Sequence, residues 1–142
     1  MTLRRVLAVA AVVVCMLQAR ATESAEELTV RAYIGAYNAH DLDAVLKLIH
    51  PDFVWLNLEG DEVEVEIRGK DAIKTMLEGY LKSLPSARSE IESISALGPW
   101  VTVRERTRWT AKDGAPRSQA AMSVYEVRDG QLRRVWYYPA VK

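Results

Sequence analysis

Hydrophobic residues recur at the spacing of an α-helix in three segments of the chain. In the first, they occupy positions i, i+3, i+4 and i+7, which places them on one face of a helix. The members of this stripe are Val30, Tyr33, Ile34 and Tyr37. Ser24 and Glu27 precede the stripe at the spacing of a capping box, which satisfies free backbone N–H groups at a helix start. The pattern predicts an amphipathic helix that begins just after Ser24.

Two later segments predict further helices. Asp41 is suited to cap the second one. Its predicted buried stripe is Leu42, Val45, Leu46 and Ile49. Pro51 should end this helix, because a residue that precedes proline disfavours the helical conformation. The third helix is predicted to begin in residues 69–73 and to end before Pro85. Its apolar face comprises Ile73, Met76, Leu77, Tyr80 and Leu84.

Alternation of apolar and polar residues predicts strands in the rest of the chain. Residues 53–58 form one such strand, with Phe53, Trp55 and Asn57 on the same face. A second follows in residues 62–67, where valine and isoleucine alternate with glutamate. Three long strands are predicted after the third helix. The turn signals that delimit them are Gly98-Pro99, Asp113-Gly114 and Asp129-Gly130. These elements predict one domain of the α+β class.

The strand at residues 100–110 carries a charge where a core residue is expected. Its side chains alternate between two faces, and one face is apolar apart from Glu105. The other members of that face are Val101, Val103, Thr107 and Trp109. A carboxylate in such a row is costly to bury, so it needs a donor, a proton or a cavity. We therefore expect Glu105 to line a pocket as an acid or base, with an ion pair to an arginine across the sheet as the alternative.

The first 21 residues have the organisation of a secretory signal peptide. Arg4 and Arg5 precede an apolar run at residues 6–17, and Ala19-Arg20-Ala21 fits a cleavage site. The run is too short to anchor the chain stably in a bilayer; an uncleaved, membrane-associated helix is the alternative. We expect an exported protein, periplasmic or extracellular, whose mature domain spans residues 22–142 and has no membrane contact after cleavage.

Charge and cysteine content narrow the classes of function further. The 142 residues include 19 basic and 19 acidic ones, and removal of the first 21 leaves 16 and 19, a net charge of −3. A mildly acidic domain gives no electrostatic reason to expect nucleic acid as a partner. The single cysteine, Cys15, lies within the predicted signal, and two separated histidines, His40 and His50, do not fit a zinc site. We expect no metal and no cofactor.

Residues 33–44 (YIGAYNAHDLDA) and 48–55 (LIHPDFVW) resemble the opening of SnoaL-like members of the nuclear transport factor 2-like (NTF2-like) superfamily. By pattern, the resemblance extends over residues 25–140. It implies an NTF2-like cone, in which a curved, mainly antiparallel sheet wraps around three helices in the order α-α-β-β-α-β-β-β. The superfamily includes ketosteroid isomerases, polyketide cyclases, dehydratases and epoxide hydrolases, as well as members that only bind or oligomerise. The fold therefore does not define the activity.

The resemblance also assigns positions in the cavity of the cone. It places Tyr33 where ketosteroid isomerases have an oxyanion-stabilising tyrosine, and Asn57 where they have the general-base aspartate. An amide cannot accept a proton from carbon, so isomerase chemistry of that type is not expected. The second oxyanion donor of those enzymes aligns near Ser123, whose hydroxyl donates more weakly. We take Glu105, Tyr33 and Asn57 as the candidate catalytic residues.

Aromatic and imidazole side chains complete the candidate pocket. Its other predicted members are Tyr37, His50, Trp55, Trp109, Ser123, Tyr125 and Trp136. Each class of residue also has a simpler structural interpretation. The aromatic residues equally fill an ordinary core, and His50, next to Pro51, suits the C-terminal end of a helix. No phosphate-binding loop or Ser-His-Asp set is recognisable in the sequence.

The outer face of the sheet predicts a partner. The strand that contains Ser123 is apolar on its opposite face as well, at Ala120, Met122 and Val124. Since the superfamily commonly pairs through this face, we expect a homodimer. An arginine row on the back of the Glu105 strand, Arg104, Arg106 and Arg108, would either pair with acids or stay solvated. The acids considered for it, in either chain, are Glu62, Glu64 and Glu66.

Two hypotheses of function follow. The first is an exported protein whose cone-shaped cavity binds a small, largely apolar molecule, with lyase, isomerase or hydrolase chemistry undecided. In it, Glu105 acts as acid or base while Tyr33 and Asn57 position an oxygen of the ligand. The second is a non-catalytic binding or dimerisation module built on the same cavity. The two differ in whether Glu105 is free of a basic partner and faces open volume.

Overall fold

The computed structural model describes residues 22–142, so the predicted signal peptide lies outside the described residues. The helices are α1 (Ala25–Asn38), α2 (Leu42–Lys47) and α3 (Lys70–Ser83). The strands are β1 (Ile49–Glu59), β2 (Glu62–Arg68), β3 (Arg88–Leu97), β4 (Trp100–Thr110), β5 (Pro116–Arg128) and β6 (Gln131–Tyr137). None of these helices has the length and apolar content needed to cross a membrane.

The α+β class and the predicted order of elements are confirmed, with one addition. The three predicted turns after α3 separate four strands, because β3 already precedes the first of them. The last turn has the geometry of a two-residue hairpin, with positive φ at both Asp129 (51°) and Gly130 (71°). Turn residues that tolerate this conformation therefore identified the strand ends correctly, while the number of strands was one too low.

The first helix forms as predicted. The Ser24 hydroxyl accepts from the Glu27 N–H (3.1 Å), and the Glu27 carboxylate accepts from the Ser24 N–H (2.8 Å), which completes the capping box. The buried side chains of α1 are Val30, Tyr33, Ile34 and Tyr37. At the other end, the Asn38 amide exchanges two hydrogen bonds with the backbone of Ser89 on β3, at 2.7 and 2.8 Å. This pair fixes the end of α1 to the sheet.

The second helix is shorter than predicted. It ends at Lys47, and Ile49 is already the first residue of β1. Ile49 pairs with Leu132 of β6, and the ladder resumes only at Val54, so the register shifts around Pro51. Because proline has no backbone N–H to donate, an irregular stretch is where a strand tolerates it. The assignment of Ile49 to the helix was wrong.

His50 belongs to this strand and not to a helix end. Its Nδ1 accepts a hydrogen bond from the backbone N–H of Asp52 at 3.0 Å. The interpretation of His50 as a helix C-cap was therefore wrong. The helix ends at Lys47, and β1 begins to pair with β6 at Ile49, before Pro51.

The six strands form one curved sheet in the order β2-β1-β6-β5-β4-β3. Neighbouring strands are antiparallel except β1 and β6, which run parallel. Helix α1 packs against β3, β4, β5 and β6, while α3 packs against β1 and β2. The helices therefore cover one face of the sheet, and no other element of residues 22–142 covers the second face, the outer face.

The core lies between the helices and the covered face. Val30 of α1 and Ile73 of α3 are fully buried there, as are Val101 and Val103 of β4. The alternation predicted for β4 is confirmed, since Glu105 is buried on the same face. Burial of this apolar surface is the main force that holds the helices on the sheet.

The arginine row lies on the outer face and finds its acids on β3. Glu92 accepts from Arg104 (2.7 Å) and from Arg106 (2.5 Å), and Glu90 pairs with Arg108. The acids considered from the sequence, Glu62, Glu64 and Glu66, belong to β2. Because β2 and β3 are opposite edges of the sheet, those acids are far from this row within the chain.

An apolar row also crosses the outer face. Its members stand directly opposite one another on four neighbouring strands: Val65, Leu56, Trp136 and Val124. Trp100 packs against Trp136 with ring centroids 5.6 Å apart, and Met122 beside the row is half-exposed. The uncovered face of the sheet thus presents contiguous apolar surface.

Candidate functional site

A cavity of about 470 Å³ lies between the helices and the sheet. Helices α1 and α3 form one wall, strands β1, β4, β5 and β6 form the other, and residues 138–140 border it. Five aromatic side chains face each other across it: Tyr33, Tyr37 and Tyr80 from the helices, and Trp55 and Tyr137 from the sheet. A volume of this size is typical of small-molecule sites, which are roughly 300–1,000 Å³.

Glu105 is the buried acid of this cavity. It stands on β4 between Ile91 of β3 and Ala121 of β5 and is only 8% exposed. Its Oε1 accepts a hydrogen bond from the Tyr137 hydroxyl at 3.1 Å. No basic side chain among residues 22–142 pairs with it. The carboxyl group therefore faces the cavity with a neutral hydrogen-bond donor and without a counter-charge.

This environment changes the acidity of Glu105. Burial raises the pKa of its carboxyl group above the ordinary value of 4.5, and the hydrogen bond from Tyr137 opposes that only in part. The physical cause is the loss of hydration, which destabilises the charged form. Glu105 is thus a carboxyl group that retains its proton to higher pH than an exposed glutamate does.

The fold buries a second glutamate in a contrasting environment. Glu126 is 4% exposed, and its carboxylate accepts from Arg128 at 3.0 Å and from Arg134 at 2.6 Å. Burial by itself raises the pKa of Glu126, but the two guanidinium groups outweigh it and hold that pKa below the ordinary value. One buried glutamate thus has two cations, and Glu105 has none. Of the two, Glu105 is suited to exchange a proton.

Two tyrosines extend from Glu105 into the sheet. The hydroxyls of Tyr125 and Tyr137 lie 2.8 Å apart, and Tyr137 in turn reaches Glu105. When Glu105 is ionised it can only accept, so Tyr137 donates to it and Tyr125 donates to Tyr137. Burial, reinforced by the charge of Glu105, raises the pKa of both tyrosines. They remain neutral donors that stabilise the carboxylate.

The polar groups of Trp55 and Asn57, on the wall formed by β1, are hydrogen-bonded within the protein. The Trp55 indole N–H donates to Asn57 Oδ1 at 2.9 Å, and Asn57 Nδ2 donates to Glu66 at 3.1 Å. The Trp55 ring also stacks on Tyr137, with centroids 4.8 Å apart. These contacts hold Asn57 in place at the cavity. They also link the β1 wall to the residue that supports Glu105.

The helix wall contributes tyrosine hydroxyls. Tyr33 is 8% exposed, and burial, followed by the charge of Glu105, raises its pKa far above the ordinary range. Tyr37 lies beside Tyr80, with ring centroids 6.4 Å apart, and its pKa is raised chiefly by burial. Both hydroxyls therefore stay protonated. They are positioned to donate to an oxygen atom in the cavity.

Five of the residues singled out from the sequence face this one cavity: Tyr33, Tyr37, Trp55, Asn57 and Glu105. Two more lie behind its wall. Tyr125 is 1% exposed and reaches the cavity only through Tyr137. Ser123 is fully buried, and its hydroxyl is the one buried side-chain polar atom without a hydrogen-bond partner in residues 22–142.

Three singled-out residues lie elsewhere. His50 is at the start of β1, away from the cavity lining. Trp136 is on the outer face, because it is paired with Leu56 and Val124 and alternates with Tyr137. Trp109 shares the face of Glu105, but it lies near the end of β4, where a shallow groove replaces the cavity. The prediction that these three line the pocket does not match their positions.

Two cavity residues were missed from the sequence. Trp136 and Tyr137 are neighbours on β6, so their side chains lie on opposite faces of the sheet. The prediction that placed Trp136 in the pocket therefore excluded Tyr137. The signal that identifies it is the buried Val135 on the same face. Tyr80 lies on the predicted apolar face of α3, seven residues after Ile73, and was assigned to the core alone.

No group of three or more histidine, cysteine, aspartate or glutamate side chains in residues 22–142 is arranged to hold a metal ion. The polar groups that line the cavity are the carboxyl groups of Glu105 and, at the rim, Glu59, the hydroxyls of several tyrosines, one serine and one threonine, and the amides of Asn57 and Gln119. Such a set is suited to hydrogen bonding and proton transfer.

The helices on a curved sheet, with an acid inside the cavity, define a protein of the NTF2-like class. The family model of the SnoaL-like domain matches residues 30–135, more than half of the chain. The chain belongs to this SnoaL-like family. No curated protein matches the sequence significantly.

Solved structures with the same fold have low sequence identity to the chain. A cystatin-fold protein from Novosphingobium aromaticivorans is 28% identical, with a TM-score of 0.69, over 82% of this chain and 98% of that one. IdmH from Streptomyces antibioticus, assigned as a polyketide cyclase, is 20% identical, with a TM-score of 0.70 and coverage of 81% and 91%. An LEH-like epoxide hydrolase of M. tuberculosis is 23% identical, with a TM-score of 0.68 and coverage of 80% and 81%. The last two likenesses concern the fold.

Proposed function

We propose that this protein binds a small, largely apolar molecule in its cavity and exchanges a proton with it through Glu105. The observation that carries the proposal is the contrast between the two buried glutamates. Glu126 has two arginines, as a structural carboxylate needs, whereas the one partner of Glu105 in the described part of the chain is the Tyr137 hydroxyl, and its carboxyl group faces open volume. A buried acid without a counter-charge costs stability, and such a cost is characteristic of functional sites.

The surroundings of Glu105 support acid–base chemistry on an oxygen-containing ligand. In its protonated form, Glu105 can donate to an oxygen that gains negative charge, and in its ionised form it can accept a proton. Tyr33 and Tyr37 supply neutral donors on the opposite wall. Together they could stabilise an oxyanion that develops between helix and sheet. Lyase, isomerase and hydrolase reactions all use such a set.

The fold neighbours support this class of chemistry without naming a substrate. One is assigned as a polyketide cyclase and another is an epoxide hydrolase. In both kinds of reaction, protons move to or from oxygen or carbon atoms of a compact organic molecule. The position where isomerases have their base aspartate holds Asn57 here, and its amide is bonded to Trp55 and Glu66. In this proposal the proton is therefore moved by Glu105 on β4, not by a residue on β1.

Native mass spectrometry of protein purified from its own compartment tests the binding step. We expect a retained organic molecule, which organic solvent releases and which identifies the chemical class. Glu105→Gln should lose affinity for that molecule, while the outer-face variant Glu90→Gln should retain it. If both variants bind it equally well, Glu105 has no part in recognition. Binding without turnover by the parent protein would favour the non-catalytic module.

Export and assembly are further parts of the proposal. Residues 1–21 would direct the chain to the periplasm or the outside of the cell, because they combine two arginines, a short apolar run and an A-x-A sequence. The apolar row on the outer face of the sheet would pair with the same row of a second copy, since such a surface is poorly suited to water. The mature protein would then be an exported homodimer with one cavity in each subunit.

A further inference from the structure

The charge of the cavity points to a class of ligand. Within residues 22–142, the cavity is lined by two carboxylates, Glu59 at the exposed rim and Glu105 inside, and by no lysine, arginine or histidine. A third carboxylate, Glu66, stands behind Asn57. Five arginines of the sheet pair with other glutamates, on the outer face and around Glu126. Every formal charge at the cavity is therefore negative.

We infer that the ligand is an apolar molecule with a basic nitrogen, whose protonated form pairs with Glu105 inside the aromatic wall. This inference rests on the proposed function, because it names the ligand class of the same cavity. The ammonium group would supply the positive charge that no residue among 22–142 provides to Glu105. An anionic ligand would instead bring a second negative charge into a site with low solvent content.

The hydrogen-bonding capacity of Glu105 supports this assignment. Its Oε1 accepts from Tyr137, while Oε2 accepts no hydrogen bond from the described residues. Oε2 is not fully buried, and Glu105 lines the cavity, so this oxygen is open to the cavity. An accessible carboxylate oxygen with free lone pairs suits a donor that carries positive charge, and such bonds are stronger than neutral ones.

The aromatic side chains supply the second part of the recognition. Tyr33, Tyr37 and Tyr80 stand on the helix wall, and Trp55 and Tyr137 stand on the sheet wall. Aromatic faces attract cations through their quadrupole, and an organic ammonium among several rings is stabilised on more than one side. The same rings bury the apolar part of the ligand. One buried acid within an aromatic enclosure is thus complementary to a hydrophobic amine.

Binding should be linked to proton release. The titratable groups that face or adjoin Glu105 are tyrosines: Tyr33, Tyr37 and Tyr80 from the helices and Tyr125 and Tyr137 from the sheet. The acids near the cavity are Glu59 and Glu66. Burial raises the pKa of Glu105, so its carboxyl group retains a proton to higher pH than an exposed glutamate does. An ammonium group would expel that proton, whereas a neutral ligand would not.

Three probes with the same ring system test the inference: 2-naphthylmethylammonium, 2-naphthylmethanol and 2-naphthoate. On the unaltered protein, titration calorimetry should give the amine an affinity about 10- to 100-fold higher than that of the alcohol, the size expected for one charge-assisted hydrogen bond. The naphthoate should bind most weakly. Repeating the amine titration in buffers of different ionisation enthalpy should reveal a released proton.

Glu105→Gln should abolish the preference for the amine and leave the affinity for the alcohol nearly unchanged. The matched control is Glu90→Gln, which removes an exposed carboxylate on the outer face of the sheet and should retain the preference. An alcohol that binds as tightly as the amine to the unaltered protein would overturn the inference and leave the proposed function standing. If calorimetry detects no binding of any of the three probes, the cavity is not a site for such ligands and both proposals fail.

Discussion

The Tyr137 hydroxyl reaches Oε1 of Glu105 over 3.1 Å, although the two residues belong to strands that are not neighbours. Strand β5 runs between them and places Ala121 beside Glu105 and Ser123 beside Tyr137. Because both intervening side chains are small, the longer ones can meet above them. The support of the buried acid therefore depends on two small residues in the middle strand.

Replacing Tyr137 by phenylalanine should raise the pKa of Glu105 further. The variant removes the hydrogen bond that partly opposes the effect of burial, while the ring can still stack on Trp55. Carboxyl carbon chemical shifts followed by NMR across pH would measure the change. Tyr138→Phe is the control, because Tyr138 is half-exposed and its hydroxyl donates no hydrogen bond to Glu105. A lower pKa in Tyr137→Phe would contradict the assigned hydrogen bond.

Glu105→Gln should alter how stability depends on pH. A group whose pKa is raised by folding stabilises the folded state fully below its unfolded pKa, and this contribution is lost as pH rises through the folded pKa. The parent should therefore lose free energy of unfolding relative to the variant from about pH 4.5 upward, by at most about 1.4 kcal/mol per pH unit. Parallel urea titrations from pH 4 to pH 9 measure this difference. If the difference between the two proteins is constant over that range, the carboxyl group is not perturbed.

Glu126→Gln should have the opposite dependence. The pKa of Glu126 is lowered in the folded state, so its contribution is present above the ordinary pKa and is lost as pH falls through the folded value. At pH 7 we expect a loss of about 1–3 kcal/mol in the free energy of unfolding, because Arg128 and Arg134 lose their acceptor but are half-exposed and can be hydrated.

The control for Glu126→Gln is Glu90→Gln, which breaks the exposed pair with Arg108. Exposed pairs contribute roughly 0–1 kcal/mol, so the control should change stability little. Chemical denaturation at pH 7 and at pH 3 compares the two variants. Equal losses in both would mean that the burial of Glu126 is without energetic consequence.

The proposed dimer predicts the effect of a charge on the outer face. Met122 is half-exposed beside the apolar row of Val65, Leu56, Trp136 and Val124. Met122→Glu should introduce a carboxylate into the interface and shift the mass measured by light scattering towards the monomer. Lys112→Glu, in the exposed turn between β4 and β5, should leave the mass unchanged. A parent protein that is already monomeric would remove the basis of the proposal.

The export proposal predicts the mature N-terminus. Cleavage after Ala21 leaves Thr22 as the first residue. N-terminal sequencing of protein recovered from outside the cytoplasm should therefore begin with Thr-Glu-Ser. Full-length protein that stays in the cytoplasm would show that residues 1–21 are not a signal peptide.

Local patterns predicted most of the fold, and five of the ten residues singled out from the sequence line the same cavity. The capping box at Ser24 and the stripe of α1 are confirmed because both depend on residues within one helical turn or two. The alternation in β4 placed Glu105 on the buried face for the same reason. Where neighbours in space override local preference, prediction failed: Ile49 and His50 became part of a strand because β6 pairs with them.

The sequence by itself determined the class of fold and the buried faces of α1 and β4, since these follow from the period of the pattern within one element. Only the tertiary structure decided which buried glutamate has a counter-charge. Glu105 has arginines on both sides in the chain, but alternation turns them to the opposite face. Glu126 stands opposite Arg134 because of the register between β5 and β6. Register depends on strand pairing over a distance, and within residues 22–142 it gives Glu126 two guanidinium partners and leaves Glu105 with the Tyr137 hydroxyl.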